Sequence, residues 1–181
     1  MLIIITLFVS IYDPNFVNLR LIKKFIKIMA ELKEGQSAPL FEGTDQDGKK
    51  IKLDDFKGKK VILYFYPKDN TPGCTNEACN LRDNYRDLLD KGFAIIGVSP
   101  DSQKSHQKFA GKFELPFPLI ADTEKKILAD YGAWGQKKMY GKSFMGVKRK
   151  TFIIDEEGKI EKIISKVDTK KHTEQIYKLY E

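Results

Sequence analysis

A chain of 181 residues, 41% of them hydrophobic, can bury one substantial core, so a single domain is expected. The formal charge of +7 is carried mostly by dispersed lysines. The four arginines (Arg20, Arg82, Arg86 and Arg149) do not cluster as phosphate or base recognition would require, which argues against a nucleic-acid partner. Two cysteines exclude the disulfide framework of a small secreted scaffold, and with His106 and His172 far away in sequence they do not space as a zinc site. Each histidine reads as a surface residue rather than a ligand or base.

Residues 1–28 differ in kind from the rest. Leu2 to Ile11 is an uncharged apolar run, too short to span a bilayer, which takes roughly 20 apolar residues. The basic residues follow it, in Arg20 to Ile28, whereas a secretory signal carries them in front. The segment reads as an upstream start ahead of Met29, or as a targeting or surface-anchoring peptide. The domain proper is expected over residues 29–181. The cytoplasm is the expected location, with organelle targeting or membrane association through residues 1–28 as the alternative.

Glu34 to Gly48 reads as a loop with a short strand, followed by an Asp47-Gly48 turn and a hairpin strand over Lys49–Leu53. Val61–Tyr66 is a continuous apolar run of the kind buried on both faces of a sheet. Cys74–Leu89 has helical spacing, with Ala78, Leu81, Tyr85 and Leu88 or Leu89 on one face. Phe93–Ser99 is a second buried strand, Ser102–Phe113 a helix capped by Asp101 or Ser102, and Leu119–Ala121 a short strand. Thr123–Tyr131 is predicted helical. Thr151–Asp155 and Lys159–Lys166 flank a Glu156-Glu157-Gly158 turn as an antiparallel hairpin, and Thr169–Tyr180 closes the chain as a helix. This order predicts an α/β fold with a mainly parallel sheet, extended by antiparallel strands and covered by helices on both faces.

The chemistry gathers at Cys74. Thr71 suits an N-cap and Pro72 the first helical position, which puts Cys74 in the first turn of a helix that follows a strand. Unpaired backbone N–H groups and the positive end of the helix dipole favour the thiolate there. The Thr71 hydroxyl can donate to the sulfur or to a bound oxygen. Lys68, Arg82, Arg86 and Arg149 are candidates for a nearby cation, and Arg82 and Arg86 lie two to three turns down the helix, away from its start. Cys79 is either the partner of a redox pair or a buried apolar residue. In an intact helix its Cα would be roughly 8–9 Å from that of Cys74 and about 140° around the axis. A disulfide needs Cα atoms within about 7 Å, so that bond would require the first turns to unwind.

Pro67-Lys68-Asp69-Asn70-Thr71-Pro72-Gly73-Cys74 matches the Pro-x-x-x-Thr-x-x-Cys motif of the peroxiredoxins. Tyr64-Phe65-Tyr66-Pro67 before it and Thr75-Asn76-Glu77-Ala78-Cys79-Asn80-Leu81-Arg82-Asp83 after it resemble the peroxiredoxin Q, or bacterioferritin comigratory protein, group. Gly35-Gln36-Ser37-Ala38-Pro39, Gly97-Val98-Ser99-Pro100-Asp101, Tyr131-Gly132-Ala133-Trp134-Gly135 and Arg149 to Asp155 extend the resemblance over about Leu32 to Tyr180. It implies a thioredoxin-like fold, with a central mixed sheet flanked by helices, and a thiol peroxidase that uses no cofactor, metal or haem. It also implies roles: Cys74 as the peroxidatic thiol, Cys79 as the resolving thiol, Pro67 shielding the site, Thr71 contacting the peroxide oxygen and Arg149 as the activating cation. The implied substrates are hydrogen peroxide and organic hydroperoxides, the implied reductant is thioredoxin or a similar dithiol, and the implied state is a monomer. A glutathione peroxidase would need a Gln and Trp constellation that Trp134 and Gln136 do not supply. A disulfide reductase is disfavoured because no Cys-x-x-Cys occurs. A redox-sensing binding protein or holdase is the non-enzymatic alternative.

Overall fold

Side chains along the central strand point alternately into two different cores. In the computed structural model, which describes residues 31–139 and 141–181, strand β3 (Lys60–Phe65) sends Val61, Leu63 and Phe65 to one side. Ile62, Tyr64 and the following Tyr66 go to the other. A strand covered on both faces needs no polar alternation, which is why this run is continuously apolar. The expectations for residues 1–28 lie outside the described residues.

The main sheet has five strands in the order β5-β4-β3-β8-β9. Strands β3, β4 (Phe93–Ser99) and β5 (Leu119–Ala121) run parallel, while β8 (Lys150–Ile154) and β9 (Ile160–Ile164) add an antiparallel edge. The expected α/β architecture with a mixed central sheet is therefore present. Gly97 in β4 is a requirement of packing: a Cβ there would stand 2.7 Å from both Tyr64 and Leu119. A separate ribbon pairs β1 (Glu42–Thr44) with β2 (Lys50–Lys52) around the Asp47-Gly48 turn, where Gly48 has φ of +83°.

Helices α1 (Pro72–Asp83), α2 (Tyr85–Asp90), α3 (Gln103–Phe113) and α5 (His172–Tyr177) contribute Ala78, Leu81, Leu88, Phe109 and Ile176 to the core that holds Tyr64. Helix α4 (Lys126–Asp130) contributes Ile127 and Leu128 to the opposite core.

Four elements differ from the sequence reading, the simplest being the closing helix, predicted over Thr169–Tyr180 and observed as α5 over His172–Tyr177. The predicted single helix over Cys74–Leu89 breaks at Asn84, whose backbone leaves helical values (φ −105°, ψ 11°) and whose side-chain amide donates to the Asn80 carbonyl at 2.8 Å. Leu89 is accordingly exposed. The predicted helix over Thr123–Tyr131 starts later, at Lys126. Lys125 is left-handed (φ 60°), and the buried Asp122 carboxylate caps the helix by accepting from Lys126 N–H and Leu128 N–H. Strands β6 (Trp134–Met139) and β7 (Lys142–Val147) form an antiparallel hairpin that hydrophobic periodicity did not reveal.

Candidate active site

The loop from β3 to α1 is tied down by one buried carboxylate. Asp69 accepts from Tyr66 Oη at 2.8 Å and from Ser105 Oγ at 2.6 Å, and its second oxygen lies 2.8 Å from His106 Nδ1. The other ring nitrogen of His106 faces the Ile120 carbonyl at 3.2 Å. The Asp69 backbone N–H donates to Asp101 at 2.6 Å. Burial works against the Asp69 charge, but the bonds from His106, Ser105 and Tyr66 outweigh it and hold the carboxyl below its usual range. Asn70 then takes a left-handed turn (φ 57°), a conformation that asparagine tolerates, and delivers Thr71 to the N-cap of α1. The Thr71 backbone has capping geometry. Its hydroxyl does not cap the helix, because it donates to the Lys68 carbonyl at 3.0 Å.

Pro72 and Gly73 open α1, and Cys74 is its third residue. The first intrahelical bond runs from Thr75 N–H to the Thr71 carbonyl, so the N–H groups of Gly73 and Cys74 have no partner within the helix. Cys74 is 1% exposed, and its thiol is part of the core that includes Leu81 and Ile176. Arg149, immediately before β8, donates from Nη2 to Cys74 Sγ at 3.1 Å and from Nη1 to Glu77 Oε2. One guanidinium thus serves two groups that become anions when deprotonated. Glu77 is one turn below Cys74 and fully buried. Burial pushes its carboxyl up to about 7 against the opposing pull of Arg149. For Arg149, desolvation disfavours the charge, but Glu77 and Cys74 more than offset it.

Among the candidate cations, the structure brings Arg149 to Cys74. Lys68 is exposed, Arg82 bonds Asp83 and the Phe113 carbonyl, and Arg86 pairs with Asp90 at the surface. Pro67 is half-buried at the start of the loop. Cys79 is half-buried further along the intact α1, and both cysteines are free thiols.

Residues 35–163 match the AhpC/TSA family. The chain belongs to that family. Among relatives, the peroxiredoxin Bcp of Bacillus subtilis is 49% identical over 138 residues, which cover 76% of this chain and 88% of that protein. A putative peroxiredoxin bcp of Coxiella burnetii is 46% identical over 142 residues, covering 78% of this chain and 94% of the relative. A cysteine-to-serine mutant of Xanthomonas campestris peroxiredoxin Q superposes with a TM-score of 0.76 at 30% identity, over 82% of this chain and 98% of its own. The protein is therefore a peroxiredoxin of the Bcp/peroxiredoxin Q group, a peroxidase built on a thioredoxin-like fold.

In this peroxiredoxin both histidines depart from the surface position expected of them. His106 and His172 are fully buried, because each ring meets a carboxylate distant in sequence, Asp69 for His106 and Glu77 for His172. Sequence reasoning also passed over Glu77. The signal available was its place beside Ala78 on the stripe that runs from Cys74 to Leu81, where an isolated carboxyl faces the interior.

Proposed function

We propose that this peroxiredoxin reduces hydrogen peroxide and alkyl hydroperoxides through Cys74, with Cys79 resolving the oxidised thiol and thioredoxin or a similar dithiol completing the cycle. The 3.1 Å contact between Arg149 Nη2 and Cys74 Sγ, made at the start of a helix, is the observation that supports this best. A guanidinium donates to one buried sulfur in the first turn of a helix, an arrangement that stabilises the charge that develops as a peroxide bond breaks.

The thiolate attacks one peroxide oxygen in line. A sulfur–oxygen bond forms, the oxygen–oxygen bond breaks, and the leaving oxygen takes a proton to depart as water or alcohol. Cys74 becomes a sulfenic acid. Thr71, whose own proton lies on the Lys68 carbonyl, offers lone pairs to a peroxide O–H. Pro67 shields the sulfur from bulk water. The Cys79 thiol then displaces the sulfenic oxygen as water and leaves an intramolecular disulfide, which a dithiol reduces by exchange. Because the disulfide closes within one chain, a monomer suffices. A Xanthomonas campestris bacterioferritin comigratory protein described for its alkyl peroxide reduction activity supports the organic substrates.

Intact-mass spectrometry after one equivalent of hydrogen peroxide tests the assignment. Wild type should lose two hydrogens, Cys79→Ser should gain oxygen, and Cys74→Ser should be unchanged. An unreactive wild type would overturn the reading. Turnover coupled to a thioredoxin system, compared with a glutathione system, tests the reductant.

A further inference from the structure

Three buried side-chain polar atoms among the described residues have no hydrogen-bond partner: Tyr64 Oη, Glu77 Oε1 and His172 Nδ1. Two of them face each other. Glu77 Oε1 and His172 Nδ1 are 3.4 Å apart, and both side chains are fully buried. Their other atoms are engaged, Glu77 Oε2 by Arg149 and His172 Nε2 by Thr151 Oγ1 at 3.0 Å. The gap is a few tenths of an ångström beyond a good hydrogen bond, and a single proton on that line would satisfy both orphans.

We propose that His172 is a positioning residue for the peroxide reaction: through Nδ1 it fixes the inner oxygen of Glu77, and Glu77 in turn holds Arg149 on Cys74. The inference rests on Cys74 being the reacting thiol. It gives the C-terminal helix a part in the active site.

The chain of contacts is continuous from sheet to sulfur. Thr151 in β8 holds His172, His172 faces Glu77, Glu77 accepts from Arg149, and Arg149 donates to Cys74. The Thr151 hydroxyl donates or accepts as needed, so it suits either tautomer of the ring. The titratable groups acting on this pair are Arg149 before β8, Tyr64 on β3 and Asp168 before α5, and Cys74 on α1 acts through Arg149. Arg149 is the fixed cation among them, so the orientation of Glu77 decides where the guanidinium points.

Backbone contacts fix the ring against the helix that carries Glu77. Thr173 N–H donates to Asn80 Oδ1 at 2.8 Å, Thr173 Oγ1 donates to the Asn80 carbonyl at 3.3 Å, and Asn80 Nδ2 donates to the Lys170 carbonyl at 3.1 Å. Ile176 packs into the core that includes Cys74. The ring is therefore held against Glu77 from both sides of the α1–α5 contact.

The test compares His172→Asn with His172→Gln in the full chain. An Asn amide nitrogen falls near the position of Nδ1, and a Gln amide nitrogen near that of Nε2. Asn should keep the contact to Glu77 and lose Thr151, and Gln the reverse. The readouts are the second-order rate of Cys74 oxidation by hydrogen peroxide, the ultraviolet absorbance of the thiolate at neutral pH, and the thermal midpoint. The Asn variant should react within roughly threefold of wild type, and the Gln variant on the order of 10- to 100-fold more slowly, as a misplaced guanidinium requires. Equal rates for the two variants, or losses that simply follow the thermal midpoints, would overturn the assignment of His172 alone. An unreactive wild-type thiol would instead overturn the Cys74 reading, and that is seen before either variant is made. Nitrogen NMR of the wild-type ring gives a reading that needs no substitution: Nδ1 should be hydrogen-bonded, and a free Nδ1 overturns the proposal.

Discussion

Lys150 pairs with Phe65 in the antiparallel register of β3 and β8. One step further along both strands, Arg149 comes level with Tyr66, where the chain leaves the sheet for the loop that leads to α1. Strand pairing thus places the cation beside the start of the cysteine-bearing helix, although Arg149 lies 75 positions beyond Cys74 in sequence. The guanidinium needs its own fork to reach both Cys74 and Glu77.

Replacing that fork should show directly in the rate. Arg149→Lys keeps a charge but cannot bond two partners in fixed directions. We expect its reaction with hydrogen peroxide, followed by stopped flow, to slow by about 100-fold, the scale of losing one oriented donor at a site of developing charge. A rate within threefold of wild type would remove Arg149 from the mechanism.

Oxidation should loosen two helices together. With α1 intact, Cys79 cannot reach Cys74, so disulfide formation must open the turns that carry Glu77 and Asn80. Asn80 makes three bonds to Thr173 and Lys170 at the head of α5. Amide hydrogen exchange should therefore speed up in both residues 74–80 and residues 170–177 of the oxidised protein. Loss of protection in α1 alone would show that α5 stays docked by other means.

The buried pair makes a pH-dependent contribution to stability whose sign can be worked out. Burial raises Glu77 from 4.5 to about 7, so the folded state binds its proton more tightly and stability falls as pH rises across that window. Burial lowers His172 from 6.5 to about 3, so the unfolded state binds more protons there and stability is lost as pH falls from 6.5 towards 3. Where the windows overlap the two slopes oppose and nearly cancel. Glu77→Gln should unmask the His172 slope, with stability rising by on the order of 5 kcal/mol as pH climbs through its window. Urea melts across that range check it, and a pH profile unchanged by the substitution would refute the assignment.

Asp69 is expected to matter more for stability than its distance from the sulfur suggests. Asp69→Ala leaves Tyr66, Ser105 and His106 without their shared acceptor, at a cost of about 3 kcal/mol or more. Because its carboxyl is held below the usual value, its contribution is present above 3.8 and lost as pH falls below that value. Thermal melts of the variant at neutral and acid pH should converge with wild type at the acid end.

The sequence was most legible where one constraint dominated. Val61–Tyr66 and Phe93–Ser99 are apolar throughout because both faces of the sheet are covered, and the Thr71-Pro72 signal marks the start of α1 from local chemistry alone. The hairpin β6–β7 was hidden because Gly135, Gly141 and Gly146 and a run of lysines erase the alternation of a half-buried strand. The start of α4 was hidden because its cap is Asp122, set back by the left-handed turn at Lys125. The burial of His106 and His172 depends on Asp69 and Glu77, 37 and 95 positions away, which only the folded chain brings near. Cys74 was visible in local sequence, and the carboxylate and ring behind its cation were not.

Cys74 is packed in the interior with Leu81 and Ile176. In the proposed cycle the first chemical step therefore adds a polar hydroxyl to a sulfur that accepts from Arg149 on one side and is otherwise packed in the core. An unmatched polar group in such surroundings is disfavoured by about 1–3 kcal/mol, and opening α1 to water relieves it. The same opening lets Cys79 approach. The oxygen taken from the substrate thus acts as a wedge, and the driving force for the conformational step comes from the reaction itself.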